Sequence, residues 1–268
     1  PLEAAEATAI DANGGDVKVE YSLDGENWTE NYASITATEV AESKTIQVRA
    51  SGANYSSYVE GTQKLAITPR PVHVTGEGWA EEQPYTGTAY TTTQYTTESF
   101  NETERSGLVA GHELSGLSYS LSGTDTGEYT GKFTGNAEIK AGETTVTGNY
   151  SITTTPGKLK ITASAIEGKI ELTTADADKV YDGQPLEAAE ATATDVNGGD
   201  VKVEYSLDGE NWTEDRTEIT ATDVTDQMVH VRASGANYEG TVNGTQKLTI
   251  TPRPVNITGE GWFEAQPY

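Results

Sequence analysis

The chain of 268 residues repeats itself, and this internal repeat constrains its fold more than any other feature. Pro1 aligns with Pro185, and the stretch NGGDVKVEYSLDGENWTE at residues 13–30 recurs letter for letter at residues 197–214. The register then holds to the end of the sequence, where Tyr268 matches Tyr85. Self-similarity at a fixed period is the sequence signature of a tandem array of small structural units.

Two landmarks divide the repeat further. An Asn-Tyr pair followed by a glycine turn and an alternating strand recurs at residues 54–55, 149–150 and 237–238, and a Tyr-x-Gly triplet follows a strand at residues 85–87 and 181–183. We interpret them as the end and the start of one domain type that is present in two versions. They predict four segments: 1–68, a first type of repeat without its opening strand; 69–162, a second type; 163–251, a complete first type; and 252–268, the opening strand of another second type. We therefore expect the parent chain to continue in the same repeat on both sides, and the orphan strand to pair with a neighbour's exposed edge.

The predicted junctions are short. Thr68-Pro69-Arg70-Pro71 runs from the last strand of one segment directly into the first strand of the next. Proline fixes φ and favours extended backbone, so this junction is expected to be stiff. The sequence accordingly predicts an elongated, rod-like array.

Each segment is predicted to be all-β. In VKVEYSL, the apolar residues Val17, Val19 and Tyr21 alternate with Lys18, Glu20 and Ser22, which is typical of a half-buried strand with the second set in solvent. Asp24-Gly25 predicts a tight hairpin turn, and Trp28 is expected to pack across it on Tyr21 or its neighbours. Many such short strands indicate tandem immunoglobulin-like β-sandwich domains of about 85–95 residues each.

The exact repetition of the quoted stretch has its own interpretation. A fold constraint explains the apolar positions and the turn, but it does not require identical side chains at Lys18, Glu20 and Ser22 if they face solvent. We interpret the identity as the mark of a recent duplication. The segment PLEAAEATATD at residues 185–195 is consistent with a short helix, a strand or a loop.

Composition excludes several classes of partner. The formal net charge of -25 opposes encounter with nucleic acid phosphates and with anionic membrane surfaces. No apolar run approaches the roughly 20 residues that span a bilayer, so direct membrane insertion is not expected. There is no cysteine, which excludes disulfides and thiolate metal sites.

The chain offers little for catalysis, and we expect neither enzymatic activity nor a cofactor. Among its three histidines, His73 and His230 lie on alternating strands and face away from the apolar positions. His112 lies in a glycine-rich segment beside Glu113 and is predicted to be in a loop. General-base or nucleophilic catalysis needs a partnered group, which this pattern does not indicate.

Three carboxylates are candidate calcium ligands. Asp176, Asp178 and Asp182 come close together in sequence, and Ca²⁺ binds oxygen ligands of this kind. Their spacing does not match an EF-hand loop, so solvated carboxylates are the alternative. Intramolecular Lys-Asn isopeptide bonds are a further way to stiffen such an array.

Exposed aromatic residues are the candidate binding site. Trp79 and Trp262 each follow the sequence Gly-Glu-Gly, and Tyr90, Tyr95 and Phe100 lie in a polar, threonine-rich segment. Such rings suit contact with a sugar or protein surface, and the alternative is that they are core or strand-edge residues.

Five stretches of the sequence together form a recognisable pattern: KVYDGQPL at 179–186, GLVAGHELSGLSYSLSG at 107–123, TGEYT at 126–130, GNYSITTTPGKLKIT at 148–162 and LTITPRPV at 248–255. In these stretches the chain resembles the YDG and MBG repeat families of bacterial surface proteins. The resemblance implies tandem β-rich domains of large exported proteins, often anchored to the cell wall, without catalytic residues. Residues 85–87 read Tyr-Thr-Gly in place of Tyr-Asp-Gly, so a role of that aspartate does not extend to this segment.

Three functional hypotheses follow. The first is a non-enzymatic stalk or adhesin repeat at a bacterial cell surface, whose immediate partners are neighbouring repeats of the same chain. The second is that the repeats themselves bind a host partner such as an immunoglobulin, a mucin or another glycoprotein, with many copies adding avidity. The third is an accessory carbohydrate-binding region of a secreted enzyme.

Overall fold

The computed structural model describes residues 1–259, and these form an all-β protein, as the alternation predicts. No α-helix occurs among them, and the helical turns are short 3-10 segments at Tyr32–Ser34, Val40–Glu42, Thr147–Asn149 and Arg216–Glu218. The strands are β1 Leu2–Glu3, β2 Lys18–Ser22, β3 Thr36–Ala37, β4 Lys44–Ser51, β5 Val59–Leu65, β6 Arg70–Gly76, β7 Gln83–Pro84, β8 Tyr90–Thr92, β9 Tyr95–Thr97, β10 His112–Gly123, β11 Gly127–Thr130, β12 Lys132–Ala141, β13 Thr144–Thr145, β14 Tyr150–Thr155, β15 Lys158–Thr162, β16 Ser164–Ala165, β17 Ile170–Thr173, β18 Ala177–Val180, β19 Leu186–Glu187, β20 Thr192–Asp195, β21 Val201–Ser206, β22 Thr220–Ala221, β23 Thr225–Gly235, β24 Tyr238–Glu239 and β25 Val242–Thr251.

The chain forms two compact units. The first comprises Pro1–Gly78, Thr92–Leu121 and Thr130–Lys158. The second comprises Trp79–Thr91, Ser122–Tyr129 and, to the end of the described residues, 159–259. Each unit therefore combines residues of more than one segment of the sequence repeat.

Unit one contains two hydrophobic clusters. The first packs beneath the antiparallel sheet β2-β4-β5, and its fully or nearly fully buried members are Ala4, Tyr21, Ile35, Ala37, Ile46 and Leu65. The second is built from Val72 and Val74 of β6, Ile139 of β12, Val146 and Tyr150. It draws on two sheets, because β6 lies between β14 and β9 while β12 lies between β10 and β13.

The pairing of β14 with β6 joins distant parts of the chain. The two strands run parallel, with Tyr150 opposite Arg70 and Thr155 opposite Thr75. A parallel pair cannot be closed by a tight turn, so the residues between must cross over. The crossover runs from β7 to β13. It returns the chain beside β6, so that Tyr150 of β14 packs with Val72 and Val74 in the second cluster.

Unit two is built around the sheet β18-β25-β23-β21. Here β18 runs parallel to β25, while β25 and β21 each run antiparallel to β23. Beneath this sheet lies one cluster of buried side chains, Ala188, Ala191, Tyr205, Ile219, Val229, Val231 and Leu248. The segment 185–195, open between helix, strand and loop, contributes the short strands β19 and β20.

The predicted strand faces require a correction. Tyr21 is buried as expected, but Glu20 and Ser22, expected in solvent, are buried as well. Glu20 accepts bonds from Lys18 and Arg49, and the Ser22 hydroxyl donates to Asp24 and accepts from the Gly25 amide. Both faces of β2 are thus covered, one by the apolar core and the other by a polar cluster.

The predicted tight hairpin at Asp24-Gly25 is also wrong. Gly25 has the expected positive φ of +81°, but the loop is longer than two residues, because the Asp24 carboxylate accepts from the amides of Glu26 and Asn27. The chain returns to β2 at a single bridge between Tyr21 and Thr29. The full antiparallel partner of β2 is β4.

Candidate functional site

Two of the predicted aromatic binding residues lie together in unit two. Trp79 and Tyr90 meet edge to face, with ring centroids 6.0 Å apart. Both are half-buried, and the Tyr90 hydroxyl donates to the Pro84 carbonyl at 2.8 Å. The pair presents part of each ring to solvent.

The other predicted aromatics do not join that pair. In unit one, Tyr95 packs against the second cluster and meets Phe133 at 5.9 Å between centroids. Phe100 is exposed on one side and covered on the other by the Arg70 guanidinium, 4.5 Å from the ring centre. Trp262 lies outside the described residues.

Two of the three candidate calcium ligands are engaged with the protein itself, and the third, Asp178, is an exposed residue of β18. Asp176 accepts from the Lys247 amide at 2.7 Å, and Asp182 pairs with the Lys179 ammonium at 2.7 Å. That ion pair lowers the pKa of Asp182. Within residues 1–259, no group of three or more histidines and carboxylates is arranged to hold a metal ion.

His73 and His112 are held in local hydrogen bonds, and His230 is a half-buried residue of β23. His73 lies between two threonine hydroxyls, with Thr153 and Thr155 each 2.9 Å from one of its ring nitrogens. His112 opens β10 and is not in the predicted loop, because its backbone pairs with Ala141 of β12. Its Nδ1 lies 2.5 Å from the Tyr150 hydroxyl.

Sequence reasoning missed a charged cluster that occurs in both copies of the repeat. In the first copy, Arg49 forms an ion pair with Glu20 at 2.9 Å, and its guanidinium lies 4.1 Å from the centre of the Trp28 ring. Tyr58 covers the same guanidinium at 4.3 Å. Trp28 was expected on Tyr21 or its neighbours, and its observed partner, Arg49, is the residue opposite Glu20 in the β2–β4 pair.

The second copy reproduces this cluster. Arg232 bonds Glu204 at 2.8 Å and lies 4.2 Å from the centre of the Trp212 ring, while Lys202 bonds the other carboxylate oxygen of Glu204 at 2.9 Å. These cations, Arg232 foremost, lower the pKa of Glu204 despite its burial. The two cations satisfy the buried charge, and the indole adds a cation–π contact.

The Asn-Tyr pair has a structural role that the sequence marked but did not explain. In unit two, Asn237 is buried, and its Oδ1 accepts from the Thr126 amide at 2.8 Å while its Nδ2 donates to Asp125 at 2.9 Å. It thereby bonds two residues more than a hundred positions earlier in the chain.

Unit one contains the corresponding contact. Asn149 Oδ1 accepts from the Val40 amide at 2.8 Å. In both units, the asparagine of an Asn-Tyr pair thus accepts from a backbone amide of the preceding segment of the repeat. The pairs could be found from their recurrence, but nothing in the loops at Val40 or Thr126 identifies them as the partners.

Tyr238, which follows Asn237 in the Asn-Tyr pair, makes further contacts within unit two. The Tyr238 hydroxyl donates to Asp195 at 2.7 Å and accepts from the Asn197 amide group at 2.9 Å. Tyr85 meets the Tyr238 ring edge to face, 5.3 Å between centroids. Burial, together with the bond to the Asp195 carboxylate, raises the pKa of Tyr238 to about 12.

The arrangement is suited to holding segments together. Its groups are amides, a phenol and carboxylates that already bond one another, and no histidine belongs to it. Such contacts fix the position of one loop against another, because each group on one side has its partner on the other.

Comparisons with known proteins give structural likenesses of low similarity. The chain is similar to Drosophila N-cadherin EC1-3, with 8% identity, a TM-score of 0.26 and coverage of 94% of each chain. It is similar to fibronectin(III)-like modules of Clostridium thermocellum CbhA, with 14% identity and a TM-score of 0.26 over 70% of this chain and 100% of that one. It is also similar to the N-terminal eight Ig domains of Down Syndrome Cell Adhesion Molecule, with 11% identity and a TM-score of 0.23 over 87% of this chain and 36% of that one.

TM-scores this low do not establish a common fold. No protein-family model matches the chain, and no curated protein matches it. Among residues 1–259, no helix has the length and apolar character to cross a bilayer. The observed features from which function can be argued are therefore the all-β fold and the contacts within each unit.

Proposed function

We propose that this chain is a non-enzymatic structural module, a run of immunoglobulin-like β-sandwiches whose repeats are locked to one another. In this proposal it is the stalk or adhesin repeat of a large bacterial surface protein, located outside the cell, which projects or multiplies a binding function. Its immediate partners are the neighbouring repeats of the same chain.

The observation that carries this proposal is the recurrent asparagine contact. The buried Asn237 bonds Asp125 and both the amide and the hydroxyl of Thr126, and the half-buried Asn149 makes the corresponding bond to the Val40 amide. Side chains that bond the preceding segment in this way are needed in an array of fixed repeats and not in a flexible string of domains. The proline-rich stretch Thr68–Pro71 supports the same conclusion.

The test is the substitution Asn237→Ala. It removes the acceptor of the half-buried Thr126 amide, and we expect that amide to exchange its hydrogen about 5- to 150-fold faster, because the lost bond is worth about 1–3 kcal/mol. The matched control is Asn243→Ala, at an exposed position of β25. Unchanged exchange at Thr126 in the Asn237→Ala chain would refute the junction role.

A second candidate function is favoured by the pair Trp79 and Tyr90, whose half-buried rings meet edge to face. In this alternative the repeats bind a host glycoprotein, an immunoglobulin or a polysaccharide through exposed aromatic surface. Retention of such a ligand by the chain, and its loss in Trp79→Ala but not in Trp28→Ala, would replace the structural role with a binding one.

A further inference from the structure

Two asparagine–glycine pairs of unit two share their chemistry but differ in their surroundings. Asn197-Gly198 lies in an exposed turn, in which the Gly198 amide donates to the Asp195 carbonyl at 2.9 Å. Asn243-Gly244 lies within β25, which pairs with β23 on both sides of the dipeptide. An asparagine that precedes glycine is prone to lose its side-chain amide, because glycine has no Cβ to hinder attack by its own nitrogen.

The reaction at Asn197 needs no reagent other than water. The Gly198 nitrogen attacks Cγ of Asn197 and forms a carbon–nitrogen bond. The bond from Cγ to Nδ2 breaks, and the amide leaves as ammonia with the proton of the Gly198 nitrogen. Water then opens the succinimide ring at either carbonyl and leaves aspartate or isoaspartate at this position. The first step requires Cγ and the Gly198 nitrogen to come within bonding distance, so the side chain must be free to move.

The Asn197 side chain is held on two sides. Its Nδ2 donates to the Tyr238 hydroxyl at 2.9 Å. It also packs on Gly87 of the preceding segment, so closely that a Cβ on Gly87 would overlap its Cγ. The amide is therefore shielded while these contacts last and becomes reactive when the side chain leaves them.

We propose that Asn197-Gly198 is a shielded deamidation site at the contact between consecutive segments, and that its reaction opens this contact irreversibly. Both products place a carboxylate where an amide donated to the Tyr238 hydroxyl. That hydroxyl has one proton, which it donates to Asp195, and Asp195 also accepts from the Asn197 backbone amide. The new carboxylate therefore gains no bond from the hydroxyl and is repelled by the Asp195 charge, so the side chain does not return.

The proposal goes beyond the structural role above, because it assigns a chemical reaction to a residue that makes none of the bonds of Asn237 or Asn149. Absence of the reaction would leave those bonds as described. A flexible array, in turn, would leave the reaction at Asn197 possible.

The first test ages the 268-residue chain in mildly alkaline buffer and follows each asparagine–glycine pair by peptide mass spectrometry and isoaspartate detection. Gly87→Ala displaces the Asn197 side chain and is expected to speed its deamidation at least about fivefold. The control is Gly111→Ala, because its φ of +80° matches the +77° of Gly87, but a Cβ there meets nothing within 4 Å. Equal rates at Asn197 in the two variants would overturn the proposal.

A second variant releases the side chain from its other contact. Tyr238→Phe removes the hydroxyl that accepts from Asn197 and is expected to speed its deamidation at least about fivefold. The control is Tyr90→Phe, whose hydroxyl bonds a carbonyl elsewhere in unit two. Asn243 is the internal reference, because a general loosening of the fold speeds both asparagines, whereas release of the side chain speeds Asn197 alone. An equal rise at both, or no rise at Asn197, would overturn the proposal.

The consequence of the reaction is measured with Asn197→Asp, which carries the charge of the product. The reporter is the Thr126 amide, which donates to Asn237 and belongs to the same cleft as Asn197. We expect this amide to exchange its hydrogen at least about threefold faster than in the unaltered chain, and to be unchanged in the control Asn243→Asp, which adds the same charge at an exposed position of β25. Unchanged exchange at Thr126 in Asn197→Asp would contradict the opening of the contact and overturn the proposal.

Discussion

At the residue scale, the clusters around Glu20 and Glu204 correct the interpretation of the repeated stretch. Alternation along β2 places Glu20 opposite the apolar core, and the sequence alone does not tell that Arg49 and Trp28 cover that face. The identity of Glu20 and Ser22 with Glu204 and Ser206 is consequently explained by their buried hydrogen bonds as well as by duplication.

The first prediction concerns the arginine of this cluster. Arg232→Ala leaves the buried Glu204 with Lys202 as its remaining cation, and we expect the free energy of unfolding to fall by about 2 kcal/mol. The control is Lys247→Ala, which breaks an exposed ion pair with Asp226 and is expected to cost less than about 0.5 kcal/mol. Chemical denaturation measures both, and equal losses would contradict the role of the cluster.

The second prediction concerns alkaline pH. The pKa of Tyr238 is raised to about 12 in the folded chain, above the roughly 10 of an unfolded tyrosine. A raised pKa means that the neutral phenol stabilises the fold, so its contribution is complete below about pH 10 and declines as the pH rises to about 12.

The measurement compares the chain with Tyr238→Phe, which lacks the titrating group. The difference in unfolding free energy between the two is expected to shrink above about pH 10. A difference that stays constant through that range would show that Tyr238 titrates normally.

At the element scale, the packing of Tyr119, a large side chain of β10, depends on two glycines that leave room for its ring. Tyr119 of β10 is buried, its hydroxyl donates to the Glu77 carbonyl at 2.8 Å, and it accepts from the Gly157 amide at 3.0 Å. Gly76 and Gly131 flank the ring so closely that a Cβ on either would overlap it. The ring is fixed at its hydroxyl and has little freedom to move away.

The third prediction follows from that close approach. Gly131→Ala is expected to lower the free energy of unfolding by about 1–3 kcal/mol, because the added methyl group overpacks the site. The control is Gly148→Ala, where a Cβ meets nothing within 4 Å, with an expected change within about 0.5 kcal/mol. If Gly131→Ala proves as stable as the control, the site is less rigid than described.

Element positions could be predicted from the sequence wherever one face of a strand is apolar. Ile46, Leu65 and Ile170 alternate with polar residues, and each lies buried in a strand. The turn at Asp24 could not be predicted, because side-chain hydrogen bonds to the next two amides select a longer loop over a two-residue hairpin. The Asp-Gly dipeptide has the same turn propensity whether the loop is a two-residue hairpin or longer.

At the scale of the whole molecule, the repeat predicted where related segments begin, and the structure adds how consecutive segments are bonded inside each unit. The recurrence of the Asn-Tyr pair identified Asn149 and Asn237 as landmarks. Their partners lie in loops of different sequence, at Val40 and at Asp125 and Thr126, so their identity required coordinates. A contact between a fixed residue and a variable loop leaves no pattern in one sequence.

The central proposal is that these asparagine contacts hold consecutive segments of the repeat together inside each unit. Amide hydrogen exchange of the 268-residue chain and of the double variant Asn149→Ala, Asn237→Ala tests it most directly. We predict that the Val40 and Thr126 amides both exchange about fivefold or more faster in the double variant, because each loses its side-chain acceptor. Exchange at both amides that the double variant leaves unchanged would contradict the account.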